Sequence, residues 1–458
     1  MGRDLTEKKI AKTLLKLSIP IIGTSFIQMA YNMVDMIWLG RLGSQAVAAV
    51  GTASFFTWFG MSFALISKTG AEIGLAQSIG RKDLKASKNY VKNSIQMNII
   101  FGIIYAILLI LMKTELISFF KLGNENVIKT AEAFLVISAL GTNANFINPL
   151  FTGICNASGD SKTPFKINSI GLVFNIIMDP ILIFGLGPIP ALGSNGAAIA
   201  TVAAQLIVTL CFYLSLKERS DEYLKVNIFE KINWKYFKEI FKLGFPVGLQ
   251  NALFAFFAMC IARIISFYGP TAIAVQKVGA QIEAISWMTA SGFSTALSAF
   301  VGQNYGAGKW KRIYEGYFIT LGIAAILGIF TTVMLVFGGN VIFGFFIPEK
   351  EAIEMGTTYL RILGYSQLFM CIEITTAGAF NGLGMTAYPS WMSIILTGIR
   401  IPLSILFATP EKFGLDGVWW VISATSVLKG FVIVGMLIFI VLIPNKEKIL
   451  GKSIKNSY

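Results

Sequence analysis

The feature that most constrains this chain is the length of its apolar blocks. From about residue 17 they recur in runs of roughly twenty residues, divided by short polar loops. Core strands are far shorter, whereas roughly 20 apolar residues in a helix cross a bilayer. Inside lipid each backbone polar group must be satisfied within its own segment, which favours helices over open strands. The expected fold class is therefore an all-α polytopic membrane protein. Twelve candidate spans can be placed, at 17–39, 51–76, 91–112, 131–153, 165–187, 193–215, 244–266, 280–302, 315–338, 356–379, 388–408 and 417–442. An even number puts both termini on one side.

A net charge of +14 would by itself suit a nucleic-acid partner. The positions of the charges argue otherwise. Lys and Arg concentrate in the N-terminal stretch, the alternate loops and the C-terminal stretch, and are sparse in the opposite loops. That asymmetry is the positive-inside pattern. It predicts a multi-pass protein of the plasma (inner) membrane with cytoplasmic N- and C-termini, a lipid bilayer as its partner and no nucleic acid. The first apolar block is too long for a signal h-region and lacks a cleavage site, so no cleavable signal is expected. Cys155, Cys211, Cys260 and Cys371 lie in or beside apolar segments without metal-ligand spacing, and read as small packing residues. No nucleophile motif or metal-like cluster is present, so neither an enzyme nor a cofactor is expected. The chain contains no histidine, which leaves any proton relay to Asp and Glu.

The longest polar interruption divides the chain. The expected organisation is an N-terminal six-helix bundle at 1–220, a cytoplasmic amphipathic linker at 221–243 and a C-terminal six-helix bundle at 244–458. The two halves repeat one another. LSIPIIG from Leu17 matches LGFPVGL from Leu243, setting Pro20 opposite Pro246. AQSIGRKD from Ala76 matches GQNYGAGK from Gly302, with Gln77 opposite Gln303. CNASGDSKTP from Cys155 matches FNGLGMTAYP from Phe380, with Asn156 opposite Asn381. Six spans per copy make this a parallel repeat, with a pseudo-twofold axis along the membrane normal. Two such bundles are expected to flank a central cleft, and a cleft within one chain makes a monomer the default.

At these residues the chain resembles the multidrug and toxic compound extrusion (MATE) family. The resemblance runs through PIIGTSFIQMAYNMVDMIWLGRLG, NASGDSKTPFKINSIGLVFNIIMDPILIFGLG with SNGAAIAT, and YGPTAIAVQKVG followed by GQNYGAGK. It implies a secondary active antiporter that exports organic, cationic amphipathic small molecules in exchange for H⁺ or Na⁺ by alternating access. The alternative class is a lipid or lipid-linked oligosaccharide flippase, which would prefer a basic cavity and for which Arg263, Lys277 and Arg400 are candidates.

Acids inside the spans carry the chemical signal, because a charge at the bilayer centre costs about 2.5 kcal/mol or more and needs a partner, water or a proton. Asp35 has Asn32 three residues before it, and Asp179 has Asn175 four before it, so each pair shares a helix face. Pro180 cannot donate to the carbonyl of Ile176, which leaves an oxygen beside Asp179. Thr201 adds a candidate hydroxyl. The set suits a hard cation such as Na⁺, held by Asp35, Asn175 and Asp179, or a proton. The resemblance assigns Asp35, Asn175, Asp179 and Thr201 to a cation-coupling pocket in the N-terminal bundle. The plain alternative is a pair of structural carboxylates, each satisfied by its own Asn. The repeat sharpens the expectation: Asp35 falls opposite Ile261, Asn175 opposite Arg400 and Asp179 opposite Ser404, so the second half lacks both acids. Lys68 and Glu72 are spaced to neutralise each other, and Arg263 is a candidate partner for Glu283. Glu373 either binds cation or substrate or pairs with Lys429. Asn32, Gln281, Glu283, Glu373 and Arg400 complete the candidate substrate or secondary polar sites.

Overall fold

The apolar blocks fold as helices throughout. The structure, a computed structural model, describes residues 4–346, 349–409 and 411–450. In the first half the helices are α1 (Ile10–Leu42), α2 (Ser44–Gly80), α3 (Leu84–Leu111), α4 (Lys113–Ser118), α5 (Glu125–Leu140), α6 (Thr142–Ala157), α7 (Lys162–Phe184) and α8 (Ser194–Lys217). In the second they are α9 (Trp234–Ser266), α10 (Pro270–Gly306), α11 (Trp310–Gly344), α12 (Lys350–Gly364), α13 (Gln367–Gly382), α14 (Ala387–Gly398), α15 (Arg400–Phe407), α16 (Gly414–Leu437) and α17 (Lys446–Ile449). Among the described residues the only β-type pairing is an isolated bridge between Leu186 and Ile189.

Each expected span falls on a helix or on a broken pair of helices. Among the described residues nine helical segments are long and apolar enough to cross a membrane, and α5 with α6, bent by 48°, makes a tenth. The other two expected spans fall on α10 and on α12 with α13. These are more polar, because they carry Gln276, Gln281 and Glu283, or Glu354 and Arg361. The halves match element by element. Both α2 and α10 are 37 residues long. Each is entered through a glycine with a backbone conformation that L side chains rarely adopt, Gly43 at φ 103° and Gly269 at φ 96°.

Within each half the second helix is the packing centre. Helix α2 touches α3, α5 and α6, and α10 touches α11, α12 and α13. The buried face of α2 is made of small residues, including Ala49, Ala53, Gly60, Ala64, Gly70, Ala71 and Gly74. Apolar lipid tails provide no hydrophobic drive for helix association, so close backbone approach and dispersion contribute most, and small residues permit that approach. Large apolar side chains such as Leu111, Ile326, Phe337 and Val341 point outward, as suits a surface solvated by acyl chains. The four cysteines are unpaired thiols, with Cys155 and Cys371 buried in helix contacts.

The chain divides into two units, and the division differs from the expected one at two ends. One unit runs over Ile19–Gly248, and the other joins Leu5–Ser18 to the chain from Leu249 on. The stretch expected as a linker is thus part of the first unit. There it is strapped along α3. Gln96 donates to the carbonyls of Ile228 and Glu230, at 2.8 and 2.7 Å. Asn93 accepts from the backbone of Asn233 at 2.8 Å, and Tyr90 donates to Glu239 at 2.8 Å. Arg219 binds Asp160 at 3.0 Å and Asp221 at 2.9 Å, anchoring the strap's start to the α6–α7 turn. The N-terminal stretch makes the corresponding contacts in the second unit. Leu5 donates from its backbone to Gln303 at 3.0 Å, and Arg312 donates to the carbonyls of Leu5 and Lys8 at 3.2 and 2.7 Å. These bonds cap chain segments that would otherwise leave buried backbone groups unsatisfied.

Candidate functional site

In the first unit, α1, α7 and α8 bring four side chains together. Asn175 and Asp179 lie one turn apart on α7, and Asn175 Nδ2 donates to Asp179 Oδ1 at 3.0 Å. Both side chains are fully buried. From α8, the Thr201 hydroxyl donates to Asp35 Oδ2 on α1 at 3.4 Å, while also holding the Ala197 carbonyl at 3.0 Å. Asp35 and Asp179 meet carboxyl to carboxyl, within hydrogen-bonding reach of each other, and Asn175 reaches Asp35 as well. The four expected residues Asp35, Asn175, Asp179 and Thr201 therefore form one cluster.

A fifth residue belongs to the cluster. The Tyr31 hydroxyl lies beside both carboxylates. It nests against Gly171 of α7, where any side chain would collide with it. Tyr31 precedes Asp35 by one helical turn, so its place on the same face was available from the helix period alone. Four oxygens converge here without a protein hydrogen-bond partner: Tyr31 Oη, Asp35 Oδ1, Asn175 Oδ1 and Asp179 Oδ2. A buried polar atom left unpaired costs on the order of 1–3 kcal/mol. Two touching carboxylates also repel each other strongly in a medium of low dielectric. A proton or a small hard cation relieves both penalties at once, and all four oxygens are chemically suited to it. Asn32, by contrast, is exposed, and the bond expected to satisfy Asp35 comes from Thr201.

The remaining candidates lie in the second unit and form a different kind of site. Lys429 pairs with Glu373 at 3.4 Å, the second of the two arrangements expected for Glu373. The same ammonium donates to Ser393 at 3.0 Å. Glu283 does not take Arg263, which is exposed. It accepts instead from Tyr359 at 2.5 Å and from Gln367 at 3.3 Å. Tyr359 reaches it because Gly279, one turn away on α10, leaves room for the ring. Arg400 donates to Thr425 and to Ser426, both at 2.8 Å. Its field acts on Glu283 and Glu373. Gln281 is exposed, apart from this network. Trp419 is fully buried, donating to Gln276 and packing edge-on against Tyr359. In the first unit Glu72 is buried within the field of Lys68, but among the described ion pairs the two do not join, and Glu72 Oε1 has no hydrogen-bond partner.

A family model described as MatE matches residues 20–181 and 246–406, both halves of the repeat. The chain belongs to the MatE family. Its members are transporters and not enzymes. It is 27% identical over 417 residues to "Probable multidrug resistance protein NorM" of Thermotoga maritima, covering 90% of this chain and 88% of that protein. It is 24% identical over 438 residues to the "FAD transporter" of Shewanella oneidensis, covering 93% of this chain and 94% of that protein. A solved outward-facing multidrug resistance MATE family transporter of the MOP superfamily matches with a TM-score of 0.87 at 21% identity. The match covers 99% of this chain and 98% of that one. The all-α fold with two six-helix bundles expected from the sequence is the fold of these MatE transporters.

Proposed function

We propose that this MatE transporter exports organic, cationic amphipathic compounds by antiport with H⁺ or Na⁺, and that the ion acts at Asp35 and Asp179. The observation that carries the reading is the convergence of four unpartnered buried oxygens on two touching carboxylates in the first unit. The equivalent positions of the second half are Ile261, Arg400 and Ser404, which cannot form such a site. Ion occupancy neutralises the acid pair and changes how α1, α7 and α8 pack. Coupling then requires that the ion and the drug prefer different conformations, because a ligand shifts an equilibrium only by its differential affinity. Asp35, Asn175 and Asp179 hold the ion, Thr201 orients Asp35, Tyr31 adds a further oxygen beside them, and the access alternates between the two sides of the membrane.

The test is dye efflux from proteoliposomes under an imposed pH gradient or an imposed Na⁺ gradient. The expected result is efflux driven by one or both gradients in the native protein and none in Asp35→Asn, with the variant monodisperse. Undiminished gradient-driven efflux by Asp35→Asn overturns the assignment. The related "FAD transporter" of Shewanella oneidensis makes a large anion a useful second cargo in the same assay. Transport of that anion in preference to cationic dyes would overturn the cationic substrate class while leaving the ion site standing.

A further inference from the structure

The strap along α3 does more than close the chain. Between them lies a cavity of about 520 Å³ at the end of the span expected to face the cytoplasm. Lys85, Lys88, Asn89 and Lys92 line it from α3, at the spacing that places them on one helix face, and Lys225 and Glu230 line it from the strap. Among the described residues Glu230 is the one carboxylate in the lining, and it is engaged with Lys92 at 2.8 Å. Three ammonium groups, Lys85, Lys88 and Lys225, are therefore in excess around one groove that opens to the surface, with Lys85 and Lys225 exposed and Lys88 half-buried. Nothing in the ion site or in the second unit's charge network uses them.

We infer that this cavity binds the phosphate headgroup of an anionic phospholipid from the inner leaflet. The charge calls for a phosphate-bearing anion. The setting selects a lipid: Lys85, Lys88 and Lys92 occupy the turns of α3 that precede its unbroken apolar run from Ile99, which sets them on the headgroup side of the span. Leu84 in the lining is 41% accessible, and Phe229 and Trp234, on the strap and at the start of α9, are 92% and 62% accessible. Such residues beside a lysine cluster fit an interface where acyl chains lie next to headgroups, and would be costly around a site for a soluble anion. A bound headgroup bridges α3 and the strap, adding to the hydrogen bonds from Gln96 and Asn93 that hold the two together.

The experiment is native mass spectrometry and thermal unfolding of the full chain in detergent, titrated with phosphatidylglycerol, phosphatidylcholine or inorganic phosphate. Phosphatidylglycerol should stay bound and raise Tm, whereas phosphatidylcholine and phosphate should not. Lys85→Gln/Lys88→Gln/Lys225→Gln should weaken phosphatidylglycerol binding on the order of 100-fold, from about fivefold per basic residue. Lys92 is left intact because it holds Glu230. The corresponding triple Arg variant should retain binding, which separates loss of charge from loss of fold. Lys446→Gln/Lys448→Gln, elsewhere on the basic surface, should leave it unchanged. Equal retention of both lipids, full retention by the triple Gln variant, an equal loss in the Lys446/Lys448 control, or a Tm rise with phosphate alone would each overturn the proposal.

Discussion

The two halves share their helix order and much of their sequence pattern, yet they treat buried charge in opposite ways. In the first unit, Asp35 and Asp179 touch each other, and among the described residues no base pairs with either; oxygens of Tyr31, Asn175 and both acids are left without protein partners. In the second unit, Glu373 takes Lys429, Glu283 takes Tyr359 and Gln367, and Arg400 takes Thr425 and Ser426. One arrangement leaves acid oxygens without protein partners, the feature on which the proposed ion site rests. In the other the charged groups find partners within the chain, although the neutral Gln367 Oε1 and Ser404 Oγ do not. A repeat of one architecture has thus been differentiated by a few side chains: Asn175 against Arg400, Asp179 against Ser404 and Asp35 against Ile261. The helices differ accordingly, since α7 runs unbroken through Pro180 while its counterpart breaks into α14 and α15 beside Arg400.

Variants can break this comparison. The largest effect is expected for Asp179→Asn, which should abolish gradient-driven efflux in proteoliposomes, whereas Ser404→Ala at the equivalent position should leave it near native. Comparable losses in the two would show that the ion site is not confined to the first unit. Next in size is Lys429→Met, which strands the Glu373 carboxylate and should lower stability by about 3–5 kcal/mol in detergent unfolding. Adding Glu373→Leu should restore most of that loss, and failure to restore it would mean that the pair is held for function and not for neutrality.

A smaller contrast separates the two tyrosines. Tyr359→Phe removes a donor to a buried carboxylate and should cost about 1.5–3 kcal/mol. Tyr31→Phe removes a hydroxyl without a protein partner, so thermal unfolding should change little while efflux falls several-fold. A large loss of stability in Tyr31→Phe would give that residue a structural role instead. The smallest effect is expected for Asn32→Ala, whose side chain is exposed; native efflux is the expected result, and a marked loss would bring Asn32 back into the ion path.

Much of the first unit's site was legible in the residues. Asn175 and Asp179 are bonded because residues four apart meet on a helix, and that follows from the chain alone. The pairing of Glu373 with Lys429 stood among the expectations but could not be selected, since either fate satisfies a buried acid. The partners of Glu283 were not legible: Tyr359 and Gln367 lie 76 and 84 residues away, and only the packing of α12 and α13 against α10 brings them in. Arg263 was the nearer candidate in sequence, but it lies on an exposed face. Asn32 shares the spacing of a helix partner with Asp35, yet Thr201 arrives from α8 and takes that place.

From its order of residues alone, the protein is a multi-span helical chain with a parallel internal repeat, in which Asp35 and Asp179 of the first copy have no acidic counterpart in the second. Those properties depend on apolar length and helical period, which act along the chain. Tertiary structure decided that Asp35 and Asp179 touch, that Tyr31 joins them, that the presumptive linker binds α3, and that residues 5–18 belong with the second unit. Such outcomes depend on which helix faces meet and on which buried polar groups find partners, and contacts over more than a hundred residues of separation have no local pattern to announce them.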